Sequence, residues 1–442
     1  MYNKHPHHSF HQHYHHQHVQ QQQQHEETQT DPKSLITEDE VKQSLQADKG
    51  EEAELTSFEI VDFTKPGDNY SNFVTSIEVK YTLEDEEQEV VYVAKVNPCK
   101  KLEGFEEMSH EFFEKEIKFY QEVIPELNAV LEEAGKEPLN VPKLYHANLE
   151  TGTEQAYYED LRARGFKMVD RVQSLDMAHT TLVLQEIAKL HAASRLLQAK
   201  CEDEPLVEKY ETVLKGWGNF NENALMKGIV NGHLDHATKI LRKAGGDENA
   251  VNWLEGLKPQ AFDILGKPAE NEAFAAVNHG TLWSNNLLFR YNDDEEPEEV
   301  MLLDFEATCH SSLVYDLNFL MYSSLAEEVR KEHLEEFLNI YTTAFQEVIE
   351  AGGQEMPFNE EELMEEFKAH NICGALFAVF TIPSVLLESG DIPNGATMDG
   401  DLEGVLDEFW ANVDEKIETS PTLRPRFLAM FEEFMESGLI GE

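Results

Sequence analysis

The chain has 442 residues, and its 35 basic residues (Lys and Arg) against 86 acidic ones (Asp and Glu) give a formal net charge of −51 at pH 7. Hydrophobic residues make up 41% and aromatic residues 10%, which supplies a sizeable core and excludes disorder throughout the chain. The acidity argues against nucleic-acid binding, which needs clustered Lys and Arg, and disfavours anionic membrane surfaces.

The N-terminal segment, residues 1–34, is predicted to be a disordered tail. Residues 1–30 are rich in His and Gln, and such low-complexity composition cannot form a packed core. Metal capture by this His cluster is an alternative interpretation, although the histidines show no fixed ligand spacing.

Residues 35–157 have the pattern of a small mixed sheet with one inserted helix. The T-E-D-E capping box at Thr37 predicts a short helix at the start. The inserted helix is predicted to end at Pro125 and to bury one face, formed by Phe112, Phe113, Ile117 and Tyr120. Runs rich in β-branched and aromatic residues predict strands at 57–63, 72–83, 89–96, 141–150 and 155–161.

The pattern becomes mainly helical over residues 158–437. A buried helix is predicted over 178–198, where apolar residues recur every three or four positions (Val183, Ile187, Leu190 and Leu197). His191 on this helix is interpreted as a core histidine rather than a ligand. Two strand pieces, separated by the polar turn 292–299, interrupt the helices, and only helices and loops are expected after Asp316.

The cysteines and the hydropathy pattern predict a reduced, cytoplasmic protein without a membrane partner. The four cysteines lie far apart with no C-x-x-C pair, which fits neither a disulfide framework nor a zinc ribbon. The first residues contain no apolar signal-peptide core. The most apolar later stretch, 374–387, is too short to span a bilayer.

The segment with the most chemical information is V-N-H-G-T-L-W-S-N-N-L-L-F-R-Y, followed by L-L-D-F-E. A strand, a polar loop ending in Asn286, a hairpin and Asp304 at the end of an apolar strand recur in phosphoryl transfer, because these two oxygen ligands converge on Mg²⁺. Upstream, Lys95 lies on a predicted strand from which it can reach nucleotide phosphates. Glu116, on the following helix, can pair with Lys95.

Eight short motifs in order support this interpretation: G-D-N-Y-S-N (67–72), A-K (94–95), E-I-K-F-Y (116–120), Y-E-D-L (158–161), I-A-K-L-H-A-A-S (187–194), H-G-x-L-W-x-x-N (279–286), D-F-E (304–306) and Y-D-L (315–317). Together they resemble the ecdysteroid-kinase-like, or CHK-kinase-like, family of the choline kinase and aminoglycoside phosphotransferase superfamily. The resemblance covers residues 35–437. It implies an α+β, bilobal protein-kinase-like fold, with a small mixed-sheet N-lobe (35–157) and a large helical C-lobe (158–437).

The resemblance also implies a role for individual positions. Lys95 and Glu116 would form the ion pair, Asn286 and Asp304 would hold the metal, and His279 would support the loop. A phosphate-covering turn would contain Gly67, Asn69 and Ser71, and an adenine-contacting hinge would contain Glu159, Asp160 and Leu161. Asp316 would tie the C-lobe together. The implied cofactors are ATP and Mg²⁺, and the implied partner is a small hydroxylated molecule, with steroids (ecdysteroids) the proposed substrates of some members.

One position departs from the family pattern. The family's loop reads H-G-D, and its Asp accepts the proton of the attacking hydroxyl, whereas this chain has Thr281. A threonine hydroxyl cannot act as a general base near neutrality. The acids nearest in sequence, Glu272 and Asp293, are not obvious substitutes.

Two hypotheses therefore remain open. The chain is either an ATP-dependent small-molecule kinase of low or unusual activity, or a catalytically silent protein with the kinase fold that binds a nucleotide, a small ligand or a protein partner. A positioned base contributes about 10² to 10⁴-fold to a rate, and the positioning and charge-neutralising residues are retained.

Overall fold

The computed structural model describes residues 31–63, 73–101, 103–170, 173–217, 223–386 and 402–441. It confirms the predicted α+β, bilobal protein-kinase-like fold, in which a small sheet-containing N-lobe precedes a larger, mainly helical C-lobe. The tail over residues 1–30 and the predicted phosphate-covering turn with Gly67, Asn69 and Ser71 lie outside the described residues. A short 3₁₀ helix, Pro32–Leu35, begins inside segment 1–34, which was predicted to be a disordered tail.

The N-lobe begins with a capped helix that packs on a five-stranded sheet. The Thr37 side chain accepts a hydrogen bond from the Glu40 amide at 3.3 Å, which confirms the predicted helix start. Val41 and Leu45 on this helix are fully buried against the sheet. The N-lobe elements are α1 (Glu38–Lys49), β1 (Glu54–Asp62), β2 (Phe73–Leu83), β3 (Glu86–Val96), α2 (Phe105–Lys118), α3 (Ile124–Glu133), β4 (Leu144–Asn148) and β5 (Gln155–Glu159).

The sheet is antiparallel throughout, so the expectation of a mixed sheet is wrong. Its strand order is β1-β2-β3-β5-β4, and all four pairings are antiparallel. The reason is that β5 returns between β3 and β4, which run in the same direction and would otherwise be parallel neighbours. Lys95 lies on the central strand, where it pairs with Val74 on one side and Ala156 on the other.

The helix inserted after β3 does not end at Pro125, contrary to the prediction. One π-helical turn, Phe119–Val123, joins α2 to α3, and Pro125 occupies the first turn of α3. Proline is tolerated there because the first amides of a helix have no partner within the helix. The predicted buried face is confirmed, since Phe112, Phe113, Ile117 and Tyr120 are buried.

The C-lobe is built around the long buried helix that the sequence predicts. Val183, Ile187, Leu190 and Leu197 are buried in it. The C-lobe elements are α4 (Met177–Lys200), α5 (Leu206–Lys209), α6 (Glu211–Leu214), α7 (Ala224–Lys243), α8 (Glu248–Leu257), α9 (Ala261–Ile264), β6 (Ala275–Asn278), β7 (Leu287–Tyr291), β8 (Pro297–Leu302), β9 (Cys309–Ser312), α10 (Val314–Ser324), α11 (Glu327–Ala351), α12 (Glu360–Ala369), α13 (Asn371–Leu386), α14 (Leu402–Thr419) and α15 (Leu423–Glu436).

Two short antiparallel strand pairs lie in the C-lobe. Strand β6 pairs with β9, and β7 pairs with β8. Strand β9 was not predicted, because its sequence, C-H-S-S, has neither β-branched residues nor alternating polarity. As expected, the described elements after Asp316 are all helices and loops.

The described part of the chain contains no helix that is both long and apolar enough to cross a bilayer. The four cysteines are all free thiols, with Cys309 and Cys373 buried.

Candidate active site between the lobes

Asn286 and Asp304 lie side by side because of the hairpin that separates them. Leu287, directly after Asn286, pairs with Leu302 across β7 and β8. The amide of Leu303 then donates to the carbonyl oxygen of Asn286 at 2.9 Å. The hairpin therefore brings two residues that are eighteen positions apart to the same end of the strand pair, and both are buried.

Lys95 connects this end of the C-lobe to the N-lobe. Its ammonium donates to both carboxylate oxygens of Glu116, at 3.0 and 2.9 Å, and also to the carboxylate of Asp304. Burial alone would lower the pKa of Lys95, but the carboxylates of Asp304 and Glu116 outweigh it and raise that pKa above its ordinary value. The lysine is therefore a fixed positive charge within an acidic chain.

The main chain around Asp304 is unusual. Asp304 has φ of +63°, a left-handed conformation that is uncommon for residues other than glycine. The next residue, Phe305, donates its amide to Glu116 Oε1 at 3.0 Å and stacks on Phe119 with ring centroids 4.7 Å apart. The bend thus lets Asp304 point toward Lys95 while Phe305 packs beneath α2.

The loop that carries Thr281 is buried, and hydrogen bonds with His279 and Asn286 hold it at this residue. His279 donates from Nε2 to the carbonyl of Leu303 at 2.6 Å and accepts at Nδ1 from the Thr281 amide at 3.2 Å. This pairing assigns the proton to Nε2 and leaves the imidazole neutral. Asn286 Nδ2 donates to the Thr281 carbonyl at 2.9 Å and to its hydroxyl oxygen at 3.1 Å.

Asp316 supports the same loop from below. Its carboxylate accepts the amides of His279 and Gly280 at 2.7 and 2.9 Å, and it also accepts from His191 Nε2 at 2.8 Å. The hydroxyl of Tyr341 lies 2.7 Å from the other ring nitrogen of His191. His191 is therefore a core histidine with two partners, as its position on the apolar helix face predicts.

Removing this support is expected to destabilise the fold. Asp316→Ala leaves two buried amides and one imidazole nitrogen without their acceptor, at about 1–3 kcal/mol for each unsatisfied group. We expect urea denaturation to show a loss of several kcal/mol, with no comparable loss for Asp263→Ala, which removes an exposed carboxylate. Equal stability of the two variants would contradict the supporting role of Asp316.

The donor set suits a small, hard cation. Asn286 Oδ1 is buried and has no hydrogen-bond partner among the described residues, while the Asn286 amide nitrogen is held by Thr281. Together with the Asp304 carboxylate it gives two oxygen ligands, and Mg²⁺ binds proteins through few carboxylates while phosphates and water complete its shell. The described residues contain no cluster of three or more His, Cys, Asp or Glu placed to hold a metal.

The predicted hinge lies between the sheet and the C-lobe, and its acidic side chains already have partners. Glu159 accepts from the Lys143 amide at 3.0 Å, and Asp160 accepts from the Arg162 amide at 3.1 Å. Leu161 is buried in an apolar cluster that spans both lobes. The cluster consists of Phe63, Val74, Val93, Leu161, Phe166, Leu288, Met301 and Leu303.

Three neighbours of the site were not predicted from the sequence. Arg162 donates to Ser76 Oγ at 2.8 Å and stacks over Phe63, which ties the hinge to β2. Tyr158 presents its ring 5.6 Å from the Lys95 ammonium. Glu306 is buried two residues after Asp304, and its charge acts on Lys95. No sequence signal singles out Arg162, whereas Tyr158 belongs to the Y-E-D-L motif and Glu306 to the D-F-E motif, so both of these could have been weighed.

The remaining predicted residues lie as follows. Trp283 is fully buried beneath the loop, which agrees with a packing role. Glu272 and Asp293 are exposed, on the turn before β6 and on the turn between β7 and β8, so neither takes the place of a base at position 281.

The antiparallel N-lobe, the helical C-lobe and the residues between them define a protein-kinase-like, two-lobed fold. The profile of the Ecdysteroid kinase-like family matches residues 66–353, which is more than half of the chain, and the chain belongs to this family. Comparison with curated proteins gives no significant match.

Two solved structures are similar to the chain. One is the amicoumacin kinase hAmiN in complex with AMP-PNP, Ca²⁺ and Ami, with 12% identity and a TM-score of 0.40, covering 89% of this chain and 96% of that one. The other is the microcompartment-associated aminopropanol kinase, with 13% identity and a TM-score of 0.34, covering 87% of this chain and 98% of that one.

Proposed function

We propose that the protein binds ATP with Mg²⁺ between its lobes and transfers the terminal phosphoryl group, slowly, to a hydroxyl group of a small molecule. The observation that carries this proposal is the convergence of Lys95, Glu116 and Asp304, beside an Asn286 amide oxygen that has no hydrogen-bond partner in the described part of the chain. Phosphoryl transfer depends mainly on positioning and on neutralising phosphate charge, and this set of residues provides both.

Each residue has a defined task in this proposal. Lys95 contacts the nucleotide phosphates, and Glu116 fixes the direction of the Lys95 side chain. Asn286 and Asp304 would hold Mg²⁺, which would offset the negative charge of the phosphates. The family resemblance implies that the segment with Gly67, Asn69 and Ser71, which lies outside the described residues, would cover the phosphates.

The adenine ring would lie against the apolar cluster that spans both lobes. Val74 and Val93 supply the N-lobe side, and Leu288 and Met301 supply the C-lobe side. Because the side chains of Glu159 and Asp160 are engaged elsewhere, the hinge would contact adenine through its main chain. This arrangement suits a flat aromatic ligand with polar edges.

The acceptor is proposed to be a hydroxyl on a small molecule, and membership of the ecdysteroid kinase-like family makes a steroid the first class to test. We further propose a cytoplasmic location, where ATP and Mg²⁺ are available and thiols such as those of the four free cysteines stay reduced.

A second candidate function is nucleotide binding without turnover. Thr281 favours it, because the hydroxyl oxygen of Thr281 accepts a hydrogen bond from Asn286 and provides no proton acceptor of suitable pKa. The two candidates share the nucleotide site and differ only in the rate of transfer.

Thermal unfolding with and without Mg-ATP tests the shared nucleotide site. At a ligand concentration about 100 times Kd, binding adds about 2.7 kcal/mol of stability, which we expect to raise Tm by a few degrees. Asn286→Ala is expected to reduce the shift in Mg²⁺ to that seen with EDTA, since it removes a metal ligand. Asn339→Ala, on the exposed side of α11, is the matched control and should keep the full shift. A natural chain that shows no shift at millimolar Mg-ATP would refute the proposal.

A further inference from the structure

A second lysine of α2, Lys115, is buried beside the site and takes no part in the proposed reaction. Its ammonium donates to the carbonyl oxygen of Lys215 at 2.7 Å and to the carbonyl oxygen of Thr308. Both acceptors are main-chain groups of the C-lobe, whereas α2 belongs to the N-lobe. Lys115 therefore crosses from one lobe to the other.

The two acceptors are themselves joined. Thr308 donates its hydroxyl to the carbonyl of Val213 at 2.8 Å, and Val213 lies on α6, which ends just before Lys215. Trp217, a little further on, makes an edge contact with Phe112 of α2 at 5.9 Å between ring centroids. The lysine thus closes a joint between α2, the segment 213–217 and the segment that follows Asp304.

This joint adds a second connection between α2 and the segment after Asp304. The first is the bond from the Phe305 amide to Glu116, which also holds Lys95. The amide bond and the ring stack of Phe305 attach α2 at one point, whereas contacts at positions 305 and 308 together fix its orientation. Since Glu116 is adjacent to Lys115 in sequence, any outward movement of Lys115 also moves the carboxylate that orients Lys95.

We propose that Lys115 is a positioning residue that fixes α2 against residues 304–308 and so keeps Glu116 paired with Lys95. The inference rests on the proposed nucleotide site for its functional consequence, but the joint itself is a property of the protein alone.

The charge of Lys115 makes the joint sensitive to pH. Burial lowers the pKa of Lys115 to about 8, with Lys215 also lowering it and with Cys309 and Glu111 acting in the opposite direction. Lys115 is therefore charged below pH 8, and it loses its proton as the pH rises through that value. A lysine released to water keeps its proton up to a higher pH than the buried lysine does, so closing the joint releases a proton and should be favoured as the pH rises through 8.

Hydrogen exchange and nucleotide affinity of three variants test the proposal. Lys115→Met removes the donor, Lys115→Arg keeps a charged donor, and Lys118→Met on the same helix removes a partly exposed lysine as the matched control. We expect Lys115→Met to speed amide exchange over residues 105–118 roughly tenfold without nucleotide, and to weaken binding of Mg-AMP-PNP by a similar factor. Lys115→Arg should recover most of both losses, and Lys118→Met should match the natural chain.

The outcomes separate this inference from the proposed function. If the natural chain binds no nucleotide but Lys115→Met still loosens residues 105–118, the joint stands and the proposed function fails. If the natural chain binds nucleotide and Lys115→Met changes neither exchange nor affinity, the joint is refuted.

A second measurement covers the case in which Lys115→Met does not fold. Protection of residues 105–118, corrected for intrinsic exchange rates, is compared at pH 7 and pH 9.5 in the natural chain and in Lys115→Arg. We expect protection to rise at the higher pH only in the natural chain, because closing the joint there releases the proton of Lys115, whereas arginine keeps its charge in both states. The same profile in both proteins would overturn the inference.

Discussion

Thr281→Asp is expected to raise the rate of phosphoryl transfer by roughly tenfold or more, because it supplies the missing proton acceptor. The replacement fits the site, since a carboxylate at this position can accept the hydrogen bond that Asn286 Nδ2 now gives to the Thr281 hydroxyl. Nucleotide affinity should change little, because Lys95, Asn286 and Asp304 are untouched. The measurement is ATP turnover with a panel of hydroxylated sterols and small alcohols.

Thr281→Asn is the matched control for this substitution. It has the size of aspartate without a basic carboxylate, so we expect its turnover to stay at the level of the natural chain. If the natural chain already equals Thr281→Asp in rate, the missing-base argument is wrong. The buried carboxylate of Glu306 would then be the next group to replace.

Lys95→Met is expected to abolish the Tm shift produced by Mg-ATP and also to lower the stability of the protein itself. The substitution leaves the buried carboxylates of Glu116 and Asp304 without their shared cation. Removing one partner of a buried ion pair typically costs about 3–5 kcal/mol. Chemical denaturation and thermal unfolding with and without Mg-ATP measure the two effects separately.

Lys80→Met provides the comparison, because Lys80 is an exposed lysine on the neighbouring strand β2. It should change neither the stability nor the ligand-induced shift by more than a small amount. A full Mg-ATP shift in Lys95→Met would show that the nucleotide binds elsewhere.

Much of the fold could be predicted because its signals are local. The cap at Thr37, the apolar spacing on α2 and α4 and the β-branched runs of the N-lobe all depend on neighbouring residues, and the structure confirms them. The strand order could not be derived in this way. The position of β5 between β3 and β4 depends on contacts between residues far apart in sequence. For this reason a mixed sheet was expected, whereas the observed sheet is antiparallel.

The same distinction between local signals and long-range contacts applies to the candidate site. Lys95, Glu116, Asn286 and Asp304 could be proposed together because each occurs in a short motif, and the structure brings them close to one another. The groups that hold them in place leave no such signal. Lys115 binds main-chain carbonyl groups, and Arg162 binds the hydroxyl of Ser76. Many different sequences could supply such partners.

The left-handed backbone at Asp304 has a consequence for how this site can change during evolution. Few side chains tolerate φ of +63°, and Asp304 is also bonded to Lys95, so a substitution there would strain the backbone and disturb the fold together with the chemistry. Thr281 is not among the described residues with positive φ, and besides the hydrogen bond from Asn286 to its hydroxyl, its loop is held through main-chain amides by His279 and Asp316. Position 281 can therefore be substituted with less effect on the fold than position 304.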